Sequence, residues 1–166
     1  MKIYRTELDS GIEQKLFEIN ADQFSSDDIE FYSKKIKGTI FVDNMSNGYH
    51  IKGKLDVPYK LTCDRCLTQF NELKEIKFNI ILTDDNELNY DESDDIIYFS
   101  PKKNEFDLNP LFQELIFLEI QMKILCKPEC KGICPNCGTN RNEQQCACAK
   151  NADLRPWNVL KNLEGN

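Results

Sequence analysis

Histidine is nearly missing from this chain of 166 residues, with His50 the only one. That removes most imidazole-based catalysis, which needs a histidine beside a serine, cysteine or carboxylate. No stretch approaches the ~18 consecutive apolar residues of a membrane-spanning helix. The opening Met1-Lys2-Ile3-Tyr4-Arg5-Thr6-Glu7 has no apolar core, so a secretory signal is not expected. Also absent are a Walker loop, a GxGxxG turn, an HExxH helix and the deaminase combination of HxE with PCxxC. Enzymatic chemistry is left with little to stand on. A net charge of −7 further weakens any reading that relies on bulk attraction to nucleic acid.

What is present is an ordinary globular balance, 40% hydrophobic and 30% charged, with eight cysteines. Without an export signal, that many thiols point to metal rather than to disulfides, because the cytosol keeps thiols reduced. Charge is unevenly spread. Residues 120–166 carry a net +3, which leaves −10 for the rest. Much of that lies in residues 84–95, where seven of twelve positions are acidic. This run reads as a solvated loop, with a dock for a basic protein as its functional alternative.

Alternation dominates the body. From Tyr49 to Leu61 the odd positions are Tyr49, Ile51, Gly53, Leu55, Val57, Tyr59 and Leu61, and the even ones are polar apart from Pro58. This period of two predicts a strand with one buried face, and Pro58 predicts an edge or a bulge. Ile76, Phe78, Ile80 and Leu82 predict a second strand, and 36–42 and 96–99 predict shorter ones. The first third carries no clear pattern.

Asn109-Pro110 fits a helix start, with Asn109 as the cap and the proline in the first turn. Leu111, Leu115, Leu118, Met122 and Leu125 recur at helical spacing, and Phe112, Ile116, Phe117, Ile120 and Ile124 widen the stripe. The spacing predicts a long, largely buried helix from Asp107 to Leu125. Leu154, Trp157, Leu160 and Leu163 predict a short terminal helix, in which Trp157 reads as core. The expected class is α+β: an antiparallel β-sheet body with a long buried helix, followed by a C-terminal cysteine-rich zinc-binding segment. The expected division is an acidic body over 1–125, which includes the first CxxC, and a cysteine-rich tail over 126–166.

The cysteines are Cys63-x2-Cys66 and, much later, Cys126-x3-Cys130-x3-Cys134-x2-Cys137-x8-Cys146-x-Cys148. Zinc takes four ligands in a tetrahedron, and a CxxC turn supplies two of them. Eight thiols divide into two four-thiolate sites. Cys126 and Cys130 are the simplest partners for Cys63 and Cys66, with Cys134, Cys137, Cys146 and Cys148 as a local second site. Other partitions of the eight between two sites, a single site with spare thiols, or iron or redox thiols are the other readings that spacing leaves open. Two closed sites would be structural, each worth an apparent ~10–16 kcal/mol by the measure of zinc-finger peptides. His50 falls on the polar face of a strand and reads as a surface imidazole.

The whole pattern resembles the YceD family, the large ribosomal RNA subunit accumulation proteins. The resemblance rests on Cys63-Asp64-Arg65-Cys66-Leu67 after an alternating strand, the acidic linker and the apolar segment 107–125. It rests also on the run from Cys126 to Gly138, on Asn142 and on Cys146-Ala147-Cys148. Asp153-Leu154-Arg155-Pro156-Trp157 is similar to the family's Asp-Pro-Arg-Trp ending, with leucine where proline is usual. The likeness covers roughly residues 50–163. It implies a bacterial-type cytoplasmic protein that supports accumulation or processing of large-subunit ribosomal RNA. For want of a catalytic constellation the residues do not lead one to expect an enzyme, a nuclease or other RNA-modifying activity being the third reading. Two mechanisms follow. Lys127, Lys131, Arg141 and Arg155 contact precursor RNA, or the acidic body escorts a basic large-subunit ribosomal protein. Neither a membrane nor a small-molecule substrate is expected.

Overall fold

A computed structural model describes residues 1–26, 29–84 and 95–150. Contacts divide the chain into two compact units: Met1–Leu61 with Asn71–Met122, and Thr62–Phe70 with Lys123–Asn166. The expected terminal helix, with Arg155 and Trp157, lies outside the described residues, as does most of the acidic run.

The first unit is built mainly of strands: β1 (Lys2–Tyr4), β2 (Ile12–Asn20), β3 (Glu30–Phe31), β4 (Lys35–Met45), β5 (Gly48–Thr62), β6 (Gln69–Thr83), β7 (Asp95–Tyr98) and β8 (Glu105–Asp107). Two helices accompany them, α1 (Arg5–Ser10) and α2 (Asn109–Leu118). The main sheet runs β2-β4-β5-β6-β7, with β3 also on β5, and β1 pairs β8 separately. Pairing is antiparallel at β2–β4, β4–β5, β3–β5 and β1–β8. The last neighbour breaks the expected antiparallel pattern: β7 joins β6 in parallel, so the sheet is mixed.

The period-two reading holds in β5 and β6. Ile51, Leu55, Val57 and Tyr59 are buried from β5, and Ile76, Phe78, Ile80 and Leu82 from β6. Pro58 falls where pairing to β4 stops at Asp56 and pairing to β3 starts at Tyr59. A residue without an N–H fits that gap. In β2 the register shifts between Ile12 and Lys15, a bulge that scrambles the alternation and explains why the first third was hard to read.

Helix α2 seats one aromatic ring on the sheet. Phe112 stacks on Phe17 at 5.6 Å between centroids and meets Phe78 at 5.5 Å. Two glycines make room for those partners. A Cβ on Gly38 would sit 2.2 Å from the Phe17 ring, and one on Gly53 would sit 2.4 Å from that of Phe78. Local volume, not turn geometry, demands glycine at both places.

The long buried helix does not form: α2 ends at Leu118 after ten residues. The first residue beyond it, Glu119, closes back on Leu115 and Phe117, and other parts of the chain take the carbonyls of the last turn. The buried Tyr59 hydroxyl donates to the Ile116 carbonyl at 2.8 Å, and Lys74 Nζ donates to that of Glu119 at 2.9 Å. Such side chains satisfy groups that a continuing helix would have used itself. Phe117, Leu118 and Met122 are consequently exposed. At the other end Asn109 is the first helical residue rather than the cap, and Asp107 Oδ1 accepts its N–H at 3.0 Å.

Burial pushes the Tyr59 phenol up, and the Glu119 and Glu72 carboxylates add to the effect, so the ring remains a proton donor to Ile116. Tyr59→Phe leaves that buried carbonyl without its donor. It should cost about 1–2 kcal/mol in denaturant unfolding with no change in the CD spectrum.

Candidate metal centres

The second unit is organised by two short turns of one design. Thr62 ends β5, and Cys63-Asp64-Arg65-Cys66-Leu67-Thr68 follows. Much further on comes Cys134-Pro135-Asn136-Cys137-Gly138-Thr139. In the first turn Cys63 N donates to Thr68 O at 3.0 Å, and Leu67 N to Cys63 O at 2.8 Å. In the second, Cys134 N donates to Thr139 O at 2.8 Å, and Gly138 N to Cys134 O at 2.8 Å. Each threonine hydroxyl lies beside the second cysteine of its turn: Thr68 at 3.4 Å from Cys66 Sγ and Thr139 at 3.2 Å from Cys137 Sγ. The fifth position is left-handed in both, with Leu67 at φ 58° and Gly138 at φ 72°.

All eight cysteines fall into two tetrads, Cys63, Cys66, Cys126 and Cys130, and Cys134, Cys137, Cys146 and Cys148. Within each, the sulfurs lie within 4.8 Å of one another. This is the grouping that the spacing favoured. Cys63 Sγ is 3.7 Å from Cys130 Sγ, and Cys66 Sγ is 3.6 Å from Cys126 Sγ. A metal–sulfur bond of about 2.3 Å implies a tetrahedral edge of about 3.8 Å, whereas a disulfide needs about 2.05 Å. The donor set and its dimensions suit one tetrahedral ion per tetrad, and neither site leaves a coordination position for a substrate.

The surroundings differ. Cys63, Cys66 and Cys130 are buried, with Phe70 and Leu125 packed against them. In the other tetrad Cys134 is buried, Cys146 and Cys148 are half-buried and Cys137 is exposed. Burial pushes the Cys63 thiol up, but N–H groups of Cys126, Cys66 and Arg65 outweigh it and bring the thiol down to about 6. N–H groups of Cys137 and Asn136 bring Cys134 to about 6 as well. Burial raises Cys130 less than the Asn142 amide, 3.3 Å from its sulfur, and the Gly132 N–H lower it. Cys126 goes the other way, raised by burial and by the crowding sulfurs, and Cys148 is raised by its neighbour Cys137. Backbone donors thus favour some thiolates in each tetrad. A divalent cation supplies the charge that lets all four ionise.

Asp64 and Arg65, which the sequence presented as spacers, hold the first tetrad together. Asp64 N donates to Ile124 O at 2.9 Å, and Asp64 Oδ2 accepts from Ile124 N at 2.6 Å. That places Cys126 two residues from a fixed point. Arg65 Nη1 donates to Cys130 O at 3.0 Å, while Arg65 O accepts from Ile133 N at 2.9 Å. Gly132 (φ 69°) passes so near that a Cβ there would come 2.9 Å from Arg65 O. Only the repeated Cys-x-x-Cys-x-Thr hexapeptide could have shown beforehand that the two turns are twins.

Of the expected contact residues, Lys127, Lys131 and Arg141 are exposed. The Arg141 guanidinium lies 3.7 Å from Cys134 Sγ, so part of its work is on the second tetrad. His50 stands on the first unit, where its Nε2 bonds the Asn79 side-chain oxygen.

No solved structure matches the chain. A relative from Arabidopsis thaliana, large ribosomal RNA subunit accumulation protein YCED homolog 1, chloroplastic, is 33% identical over 70 residues, covering 42% of this chain and 22% of the relative. The Zea mays protein of the same name is 31% identical over 70 residues, covering 42% of this chain and 24% of that protein. The chain therefore spans about a quarter or less of the length of these curated relatives. Among its described residues no helix is long and apolar enough to cross a membrane. The family model described as large ribosomal RNA subunit accumulation protein YceD matches residues 51–164, which include both cysteine tetrads, and the chain belongs to that family.

Proposed function

We propose that the chain is a zinc-stabilised, non-enzymatic factor that supports accumulation of large-subunit ribosomal RNA by touching precursor RNA through its cysteine-rich unit. The family and its relatives' names supply the ribosomal context. The observation that carries RNA contact is a difference in charge pairing. Eight of the first unit's twelve lysines, Lys2, Lys15, Lys35, Lys52, Lys54, Lys60, Lys74 and Lys77, sit in ion pairs with carboxylates, while among the described residues Lys34, Lys37, Lys102 and Lys103 do not. Lys123, Lys127 and Lys131 of the second unit have no carboxylate at ion-pair distance among the described residues. Exposed cations left unneutralised by their own protein favour an anionic partner.

Two closed four-thiolate sites suit zinc as a structural ion, and a single ion fills each, since a multi-iron cluster would hold its thiolates further apart. Each filled site carries a formal −2, and the two together outweigh the unit's formal excess of +3. The RNA footprint is accordingly a few phosphates rather than a polycationic groove. A site closed by four thiolates offers catalysis no open metal position.

Purified protein should carry two zinc equivalents. Cys63→Ser and Cys134→Ser should each remove one, and stripping both ions should make the cysteine-rich unit sensitive to protease. Iron absorption bands, or unchanged zinc in both variants, would refute the assignment.

For RNA contact, the protein recovered from growing cells should bring down large-subunit precursor RNA that nuclease removes. Replacing Lys127 and Lys131 with glutamate, zinc content unchanged, should flatten the dependence of log affinity on log salt by about 1.4. A basic ribosomal protein that survives nuclease, with an unaltered salt slope, would favour the escort mechanism instead.

A further inference from the structure

The twin turns differ at one position that matters for what they present. Gly138 occupies the left-handed fifth position of the second turn, where glycine carries no steric penalty. Leu67 occupies it in the first turn, at φ 58°, and its side chain is 63% exposed. A branched side chain in this conformation is disfavoured. Packing within the protein does not compensate for it, since most of the side chain faces solvent. The leucine has no evident structural reason to be there.

Its neighbours give it a setting. The Ile133 N–H bonds Arg65 O at 2.9 Å on one side of Leu67, and the Asn140 side chain reaches Thr68 Oγ1 at 3.3 Å on the other. Ile133 and Asn140 are themselves bridged as in an antiparallel hairpin. Leu67 is thereby bracketed by that hairpin, whose Ile133 is also exposed, at 38%. Lys131 stands two residues before Ile133, its N–H held by Asn142 Oδ1 at 2.9 Å, and Lys127 lies on the preceding turn. The stretch that leads into Ile133 thus carries two exposed lysines with no carboxylate at ion-pair distance among the described residues.

Among anionic partners, an RNA duplex turns phosphates and 2′-hydroxyls outward and hides the faces of its bases, which gives an exposed leucine nothing apolar to cover it. An unpaired strand offers both, base faces for the apolar pair and phosphates for the lysines. We infer that Leu67 and Ile133, flanked by Lys127 and Lys131, form a docking patch for an unpaired stretch of RNA. This inference rests on the RNA-contact reading above and gives it a substrate class.

Leu67→Gly is the decisive variant because glycine suits the backbone there and should raise thermal stability rather than lower it. The zinc-loaded full chain is titrated with a fluorescent uridine oligomer and with a duplex of equal length at one salt concentration. Wild type should prefer the single strand. Leu67→Gly should weaken single-strand binding about tenfold, as expected when roughly half of a leucine side chain is no longer buried, and leave duplex binding unchanged. Ile133→Thr should shift binding in the same direction. If Leu67→Gly binds the single strand as tightly as wild type, or wild type binds both probes alike, the patch is not a reader of unpaired RNA although RNA contact stands. If wild type binds neither probe, the RNA reading falls and takes this inference with it.

Discussion

The paired hydrogen bonds between Asp64 and Ile124 govern much of the second unit. They occupy both polar groups of one backbone position, Ile124, with the amide and carboxylate of a residue sixty positions earlier. A helix running through Ile124 would need that N–H and C=O for itself, so the exchange excludes one there. It also leaves Cys126 and Cys130 close to Cys63 and Cys66, the arrangement a tetrahedral site requires. Arg65 repeats the logic one residue later, bonding Cys130 O with its side chain and Ile133 N with its carbonyl. The two residues between the first pair of cysteines thus position the chain that brings the second pair.

What could be read in advance follows from how local each determinant is. Alternation in β5 and β6 is written in adjacent residues and proved accurate at Ile51, Leu55, Ile76 and Phe78. The cysteine tetrads match the simplest partition of eight thiols with two CxxC turns, although spacing alone left other partitions open. The length of α2 was not legible, because the segment to Leu125 is apolar nearly all round and carries no stop signal. The carbonyls at its end are taken by Tyr59 and Lys74, which lie 57 and 45 residues from the groups they bind. The parallel pairing of β7 escaped for the same reason, as parallel and antiparallel neighbours share one side-chain period. In β2 a bulge between Ile12 and Lys15 broke the very periodicity that would have marked the strand.

Charge tells a similar story. Sequence gives totals, an acidic body and a mildly basic tail, and totals alone argue against nucleic acid. The sheet changes that account by placing lysines beside carboxylates, Lys54 on Glu75 and Lys35 on Glu18, so that many of the body's cations are neutralised locally. Exposed pairs of this kind contribute little to stability, but they remove those lysines from the pool open to an outside anion. Lys127 and Lys131 stay in that pool. An acidic protein can still direct a small cationic face at a phosphate backbone where much of its other positive charge is paired.

The described part of the cysteine-rich unit buries few apolar side chains. Among its described residues the apolar cluster is Phe70 and Leu125 against the cysteines themselves. A cluster that small offsets little of the entropy of ordering the chain around it, and under the zinc reading proposed above metal coordination would add the stability. This division of labour frees the surface. Where ions rather than packing fix the backbone, a side chain such as Leu67 can be kept outward in a conformation that a packed core would not favour. On that reading a recognition surface is compatible with a small unit, because coordination rather than burial would decide which residues are open to a partner.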